Sequence, residues 1–149
     1  MNTSFEGLNG LFWKQFERGR EMAFATCAGT LVTNRIIVVV SHKERLYMIT
    51  GTDSKKYAQM QKNPQVGLCA GMLQMTGLAR SLGHTLDAAN KELATAYEAV
   101  FKEYFDEFAG MPENVLVEIM PQTAVVYTDD NDYTTGYTLD FGAQTASKI

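Results

Sequence analysis

Apolar residues recur along this chain with two different periods, and the alternation between them predicts strands joined by short turns, with a few helices set among them. Leu8, Leu11, Phe12 and Phe16 fall on one face of a helix over residues 5–18. Residues 22–27 then read as a strand, with Ala28-Gly29 as its turn. A second strand over 31–41 carries the run Ile36-Ile37-Val38-Val39-Val40. A β-branched run of this kind is expected to be buried on both faces. After a polar turn at 42–44, residues 45–50 return as the second arm of a hairpin. The turn cluster Gly51-Thr52-Asp53-Ser54 leads into a short helix over 55–62, with Ser54 as its N-cap and Asn63-Pro64 as its stop. Its expected inward residues are Tyr57, Met60 and Ala58.

Two more strands follow at 66–70 and 73–80, around Gly71-Met72. Gly77 within the second predicts a bulge or a close backbone approach. One long helix is expected over 86–108, because Leu86, Ala89, Leu93, Tyr97, Val100, Phe101, Tyr104 and Phe108 recur at three- and four-residue steps. Its aromatic stripe reads as core or subunit contact. Gly110-Met111-Pro112 ends it. The last strands are expected at 115–120 and 123–128, hinged at Pro121. The polar stretch from about residue 129 is expected to be a loose extension or a cover over a partner. Six or seven strands and three helices in this order predict a mainly β protein with helices (α+β), an antiparallel barrel rather than a parallel sheet.

A length of 149 residues fits one domain spanning 1–149. Hydrophobic content of 46% with 20% charged residues is that of a globular protein. The longest aliphatic run is far short of the roughly 20 residues of a membrane span, and the N-terminus has no leader pattern, so the expected location is cytoplasmic with no membrane partner. Cys27 and Cys69 lie in apolar strand-like runs, where buried free thiols are expected, although their spacing also permits a disulfide. The net charge of −4 argues against nucleic acid. It conceals an asymmetry: residues 1–62 hold nine Lys/Arg and five Asp/Glu, whereas residues 63–149 hold four and twelve. Either the basic half is a mixed solvated surface, or a few of its cations converge on a small anion.

Dinucleotide, nucleotide-phosphate and zinc-protease motifs are absent. His42 and His84 fall in predicted turns, where solvation rather than metal binding is expected. The stretch 50–56 differs. A helix N-terminus favours acidic residues, yet this one opens with Lys55-Lys56 behind Ser54. A phosphate would reconcile that choice by accepting the free N–H groups, the serine hydroxyl and the lysine charges together. The alternative is two exposed lysines on a surface helix. Arg35 opens the strand beside the one that leads into this turn, and could grip the same anion bidentately. The apolar run beyond it offers a wall to an aromatic ring. A phosphorylated, ring-bearing cofactor would meet both features.

The ordered set Arg35-Ile-Ile-Val, Tyr47-Met-Ile-Thr50, Ser54-Lys-Lys, Asn63-Pro64 and a strand ending in Gly77 resembles the pyridoxamine 5′-phosphate oxidase-like FMN-binding split-barrel superfamily. The resemblance covers residues 22–80 most strongly. It implies a six-stranded antiparallel split β-barrel and a homodimer with FMN at the subunit interface. It also implies that Arg35, Ser54, Lys55 and Lys56 hold the FMN phosphate, that Ile36, Ile37 and Val38 line the isoalloxazine, and that Ile49 and Thr50 contact the ribityl chain or phosphate. Gln74 is the candidate for a glutamine contributed by the other subunit, although it lies nearer the glycine than is usual.

Two departures narrow the resemblance. The further C-terminal segment of the true oxidases, with its basic and histidine residues, has no counterpart here, so pyridoxamine phosphate oxidase activity is not expected. The cation that often closes the Arg-initiated strand is Val40. The chain looks more like the short branch of general-stress and nitroimidazole-resistance proteins. The expected function is a flavin-dependent oxidoreductase acting on a small molecule, with no assignable catalytic side chain because the flavin carries the electrons. The alternatives are a flavin-binding or sensing module without turnover, and a related split barrel holding haem or a deazaflavin.

Overall fold

A computed structural model describes residues 2–129 and 132–149. The strands are β1 (Arg20–Ala28), β2 (Leu31–His42), β3 (Arg45–Gly51), β4 (Gln65–Ala70), β5 (Leu73–His84), β6 (Asn114–Asp129), β7 (Asp132–Asp140) and β8 (Thr145–Lys148). The helices are α1 (Phe5–Lys14), α2 (Lys55–Lys62), α3 (Lys91–Val100) and α4 (Lys102–Phe108), with a short 3-10 turn at Ala88–Asn90. All pairings are antiparallel, in the order β3-β2-β1-β4-β5-β6-β7-β8. A further β3–β6 pairing closes the first six strands of that order into a barrel, and β7 and β8 extend it from β6. Closure removes the open edges of these strands. The expected barrel is therefore present.

Two apolar cores hold it. Met22, Phe24, Ile37, Val39, Leu46, Met48, Leu68, Met75, Val117 and Ile119 fill the interior, joined by Leu8 and Phe12 of α1. The second core lies outside the wall, where Val40, Tyr47, Ile49 and Leu116 are covered by Ala94, Tyr97, Phe105 and Ala109 from α3 and α4.

Several expectations change. The helix over 86–108 is two helices preceded by the 3-10 turn, broken at Phe101 (φ −126°, ψ 63°). The Phe101 ring lies against Gly19, where an added Cβ would stand 2.3 Å from it. That tertiary contact bends a segment containing no Gly or Pro. Helix α1 stops at Lys14 rather than Arg18. The polar C-terminal stretch is not a loose extension: β7 pairs with β6, and β8 with β7. The two strands around Pro121 are one strand, β6. Thr76 pairs with Thr123 and Gly77 with Pro121, so Gln122 is the extra residue of a bulge and Pro121 sits where the ladder is already irregular. The Gly77 expectation thus holds.

The run Ile36–Val40 is not buried throughout. Val39 and Val40 are, but Ile36 is 65% exposed, because β2 passes the covering helices and its outer face opens. Cys27 is half-buried and Cys69 exposed, and both are free thiols. They share that outer face, so their apolar neighbours in sequence point into the barrel while they do not. In α2 the inward positions include Met60 and the half-buried Tyr57, but Ala58 is exposed and Gln59 takes the buried place. Neither histidine lies in a free turn. His42 ends β2 and meets Glu92 Oε1 at 2.8 Å, and His84 ends β5 with both ring nitrogens hydrogen-bonded.

Candidate functional site

The turn between β3 and α2 is built from the residues that the sequence marks. Ser54 N–H donates to the Gly51 carbonyl at 3.1 Å, and Thr52 N–H to the Glu113 carbonyl at 2.8 Å. Ser54 Oγ donates to the Gly51 carbonyl at 2.8 Å and accepts from Tyr57 N–H at 3.2 Å. Ser54 is thus the N-cap of α2, and it starts the helix at Lys55. Thr50, almost fully buried, brings its hydroxyl to 3.4 Å from that of Ser54.

Arg35 enters the same region from β2. Its partner across the ladder is Phe24, and the neighbouring interior pair is Thr26 with Thr33. Nη1 of Arg35 donates to the Phe24 carbonyl at 3.2 Å and to Thr26 Oγ1 at 2.8 Å, and Nη2 donates to Thr33 Oγ1. Both hydroxyls are also bonded to Gln59 Oε1 from the buried side of α2. The guanidinium is thereby tied to the barrel wall and to the helix together.

The electrostatics are unfavourable without a counter-ion. Burial holds the Lys56 ammonium below the ordinary lysine range, the Arg35 charge lowers it further, and Asp53 raises it by less. Burial also pushes Arg35 down from its usual value. Two partly desolvated cations at a helix N-terminus make a site that favours a multiply charged anion. The residues fit a phosphate in donor chemistry and in charge.

The other sequence candidates divide. Lys55 is exposed beside Lys56. Ile49 pairs with Leu116, and its side chain lies in the second core beneath α3 and α4. Ile37 points into the barrel, Ile36 points out, and the Val38 carbonyl accepts from the Tyr97 hydroxyl at 3.4 Å. Gln74 lies three strands from Arg35 in the sheet order, and on the outer face. It shares a cross-strand row with Ile36 through the pairs Ile36–Ala23, Ala23–Cys69 and Cys69–Gln74. One chain therefore brings Arg35, Thr50, Ser54 and Lys56 to one region, and sets Ile36 and Gln74 on another surface.

Gln59 and the threonine pair are the residues that sequence reasoning missed. A glutamine on a short polar helix carries no signal, and Thr26 and Thr33 are ordinary strand residues until the β1–β2 register puts them opposite each other.

No family model matches the chain, and no curated protein matches it. Solved structures do. General stress protein 26 of Bacillus anthracis is 18% identical with a TM-score of 0.67, over 90% of this chain and 98% of that one. A pyridoxamine 5′-phosphate oxidase-related, FMN binding protein of Nostoc punctiforme is 17% identical with a TM-score of 0.65, over 94% of each chain. The fold is the split barrel of the pyridoxamine 5′-phosphate oxidase-like proteins. HutZ of Vibrio cholerae, a haem storage protein, shares this split barrel at 14% identity and a TM-score of 0.62, over 80% of this chain and 91% of that one.

Proposed function

We propose that this split barrel binds FMN as a homodimer and acts as a flavin-dependent oxidoreductase on a small molecule. The observation that carries the reading is that Arg35 is tied through Thr26 and Thr33 to Gln59 of α2, the helix that opens with Lys55 and Lys56 behind the Ser54 cap, so that cations from two elements converge. A phosphate monoester supplies the missing negative charge, and its oxygens accept from Arg35, Lys56 and the backbone N–H groups opening α2. Lys55 adds a solvated charge, while Ser54 and Thr50 shape the turn. When bound, the flavin would carry the electrons, and this chain's residues would hold and orient it.

The outer face supports the dimer. Val32 and Ile36 are exposed there beside the small residues Ala23, Ala25, Gly67 and Cys69. A surface of small residues with exposed apolar ones suits close approach of a second sheet. Gln74 lies in the same row as Ile36, so a two-fold partner would bring its own Gln74 towards this chain's flavin wall. The fold likeness to the FMN binding protein of Nostoc agrees with this reading.

Haem is the competing cofactor, because HutZ has the same fold. The histidines do not favour it: His84 accepts from Leu86 N–H and meets the Met111 carbonyl at 3.0 Å, and His42 meets Glu92. The deciding experiment is the absorption spectrum of the protein as purified, with chemical identification of the compound released on denaturation. A flavin spectrum and released FMN are expected. A Soret band would transfer the reading to haem, and a colourless protein that takes up no added FMN would end it. Reduction by NAD(P)H followed by reoxidation by an acceptor separates the enzyme from a non-catalytic flavin module.

A further inference from the structure

Gln59 is almost fully buried on α2, and its hydrogen bonds have a single self-consistent direction. The Leu31 carbonyl can only accept, so Gln59 Nε2 donates to it at 3.2 Å. Oε1 must therefore face the two threonines. Guanidinium N–H groups can only donate, so Thr26 and Thr33 accept from Arg35 and pass their own protons to Gln59 Oε1. One amide oxygen thus sets both hydroxyls, and the hydroxyls set the guanidinium.

The donors of Arg35 can then be assigned. Arginine carries five N–H donors in a fixed plane. Both on Nη1 are taken, by Phe24 and Thr26, and one on Nη2 is taken by Thr33. The pair not engaged by any described residue is the side-on fork of Nε–H and the second Nη2–H. That edge matches two oxygens of one phosphate.

We propose that Gln59 is a positioning residue for the anion site: through Thr26 and Thr33 it holds the Arg35 guanidinium with its Nε/Nη2 edge turned to the phosphate. The inference rests on the flavin reading for the identity of the phosphate, but not for the orientation of Arg35. In this role Gln59, whose amide is bonded to Thr26, Thr33 and Leu31, acts only through how Arg35 is presented. A glutamine does this better than a glutamate would, because a carboxylate would face the Leu31 carbonyl with no donor and would neutralise Arg35 from behind.

The test compares FMN with riboflavin, which lacks only the phosphate. Flavin fluorescence titrations are run on the parent protein and on Gln59→Leu. Losing a well-directed charge-assisted contact should cut the parent's preference for FMN by about ten- to a hundredfold, with riboflavin affinity unchanged. A merely structural role would weaken both ligands together. Thr33→Val, which removes one half-buried relay hydroxyl, provides the same comparison if Gln59→Leu does not fold. A second readout needs no flavin: the Arg35 Nε–H signal in side-chain 15N NMR, followed as inorganic phosphate is added. In the parent this signal is sharp and shifts with phosphate, and in the variants it broadens and shifts less. An unaltered FMN preference, or an Arg35 signal that behaves identically in the variants, overturns the proposal. A parent protein with no preference for FMN, but with a phosphate-responsive Arg35 that Gln59→Leu disturbs, overturns the flavin reading and keeps the positioning role.

Discussion

Lys56 is the residue at which the proposed phosphate binding would conflict with stability. Its ammonium is depressed below the ordinary lysine value of 10.5, first by burial and then by Arg35. A base whose folded value lies below its unfolded one binds fewer protons in the native state. Stability of the ligand-free protein therefore rises with pH between the depressed folded value and 10.5, and the full penalty is present below that window. Lys56→Met should stabilise the ligand-free protein at neutral pH, by less than about 1 kcal/mol because the site is partly solvated. The gain should fade as alkali deprotonates the parent lysine. The same variant should bind FMN about tenfold or more weakly. Thermal melts with and without FMN across pH check both halves. A variant that is less stable than the parent without ligand would show that Lys56 has a structural partner instead.

At the scale of elements, β5 and β6 approach each other closely at Gly77. A Cβ at Gly77 would stand 2.9 Å from Ile119 Cγ2 and 2.9 Å from the Met120 carbonyl oxygen. The second contact is backbone, which cannot rotate away as a side-chain tip can. Gly77→Ala is expected to cost about 1–3 kcal/mol in chemical denaturation, as overpacking does. An unchanged midpoint would mean that the bulge at Gln122 absorbs the shift. The break at Phe101 belongs to the same scale. Backbone hydrogen bonds run on through it, Phe101 N–H to Tyr97 and Phe105 N–H to Phe101, each at 2.9 Å. The apolar spacing of a single long helix therefore survives on both sides of a bend made by a ring packing on Gly19.

For the whole molecule, the proposed dimer turns on the outer face of β1, β2 and β4. Ile36 lies on this face, on β2, and is 65% exposed. If the proposed dimer forms there, Ile36→Asp places a charge in its apolar core. The variant should sediment as a monomer at concentrations where the parent is a dimer, and it should lose flavin while keeping its fold. Analytical ultracentrifugation with circular dichroism checks this. A dimer that persists would move the interface elsewhere, for example onto α3, where His42, Lys91, Glu92, Thr95, Ala96 and Ala99 border a shallow open groove.

Local patterning by itself determined the positions of β1 to β5, the hairpins, the Ser54 cap, helix 55–62 and the Gly77 irregularity, because each depends on residues within a few positions of one another. The same holds for Arg35 and the Ser-Lys-Lys turn as candidates, since their chemistry is unusual for where they stand in the chain. Tertiary structure decided what depends on partners distant in sequence. It paired the polar C-terminal stretch into β7 and β8, because an open side of β6 was there to accept it. It bent the long helix, because Gly19 made room for Phe101. It left Ile36 exposed while burying Val40 on the same face, because the covering helices end short of Ile36. It also turned Gln59, Thr26 and Thr33 into the support of Arg35: only the β1–β2 register and the seat of α2 bring three ordinary polar side chains behind one guanidinium.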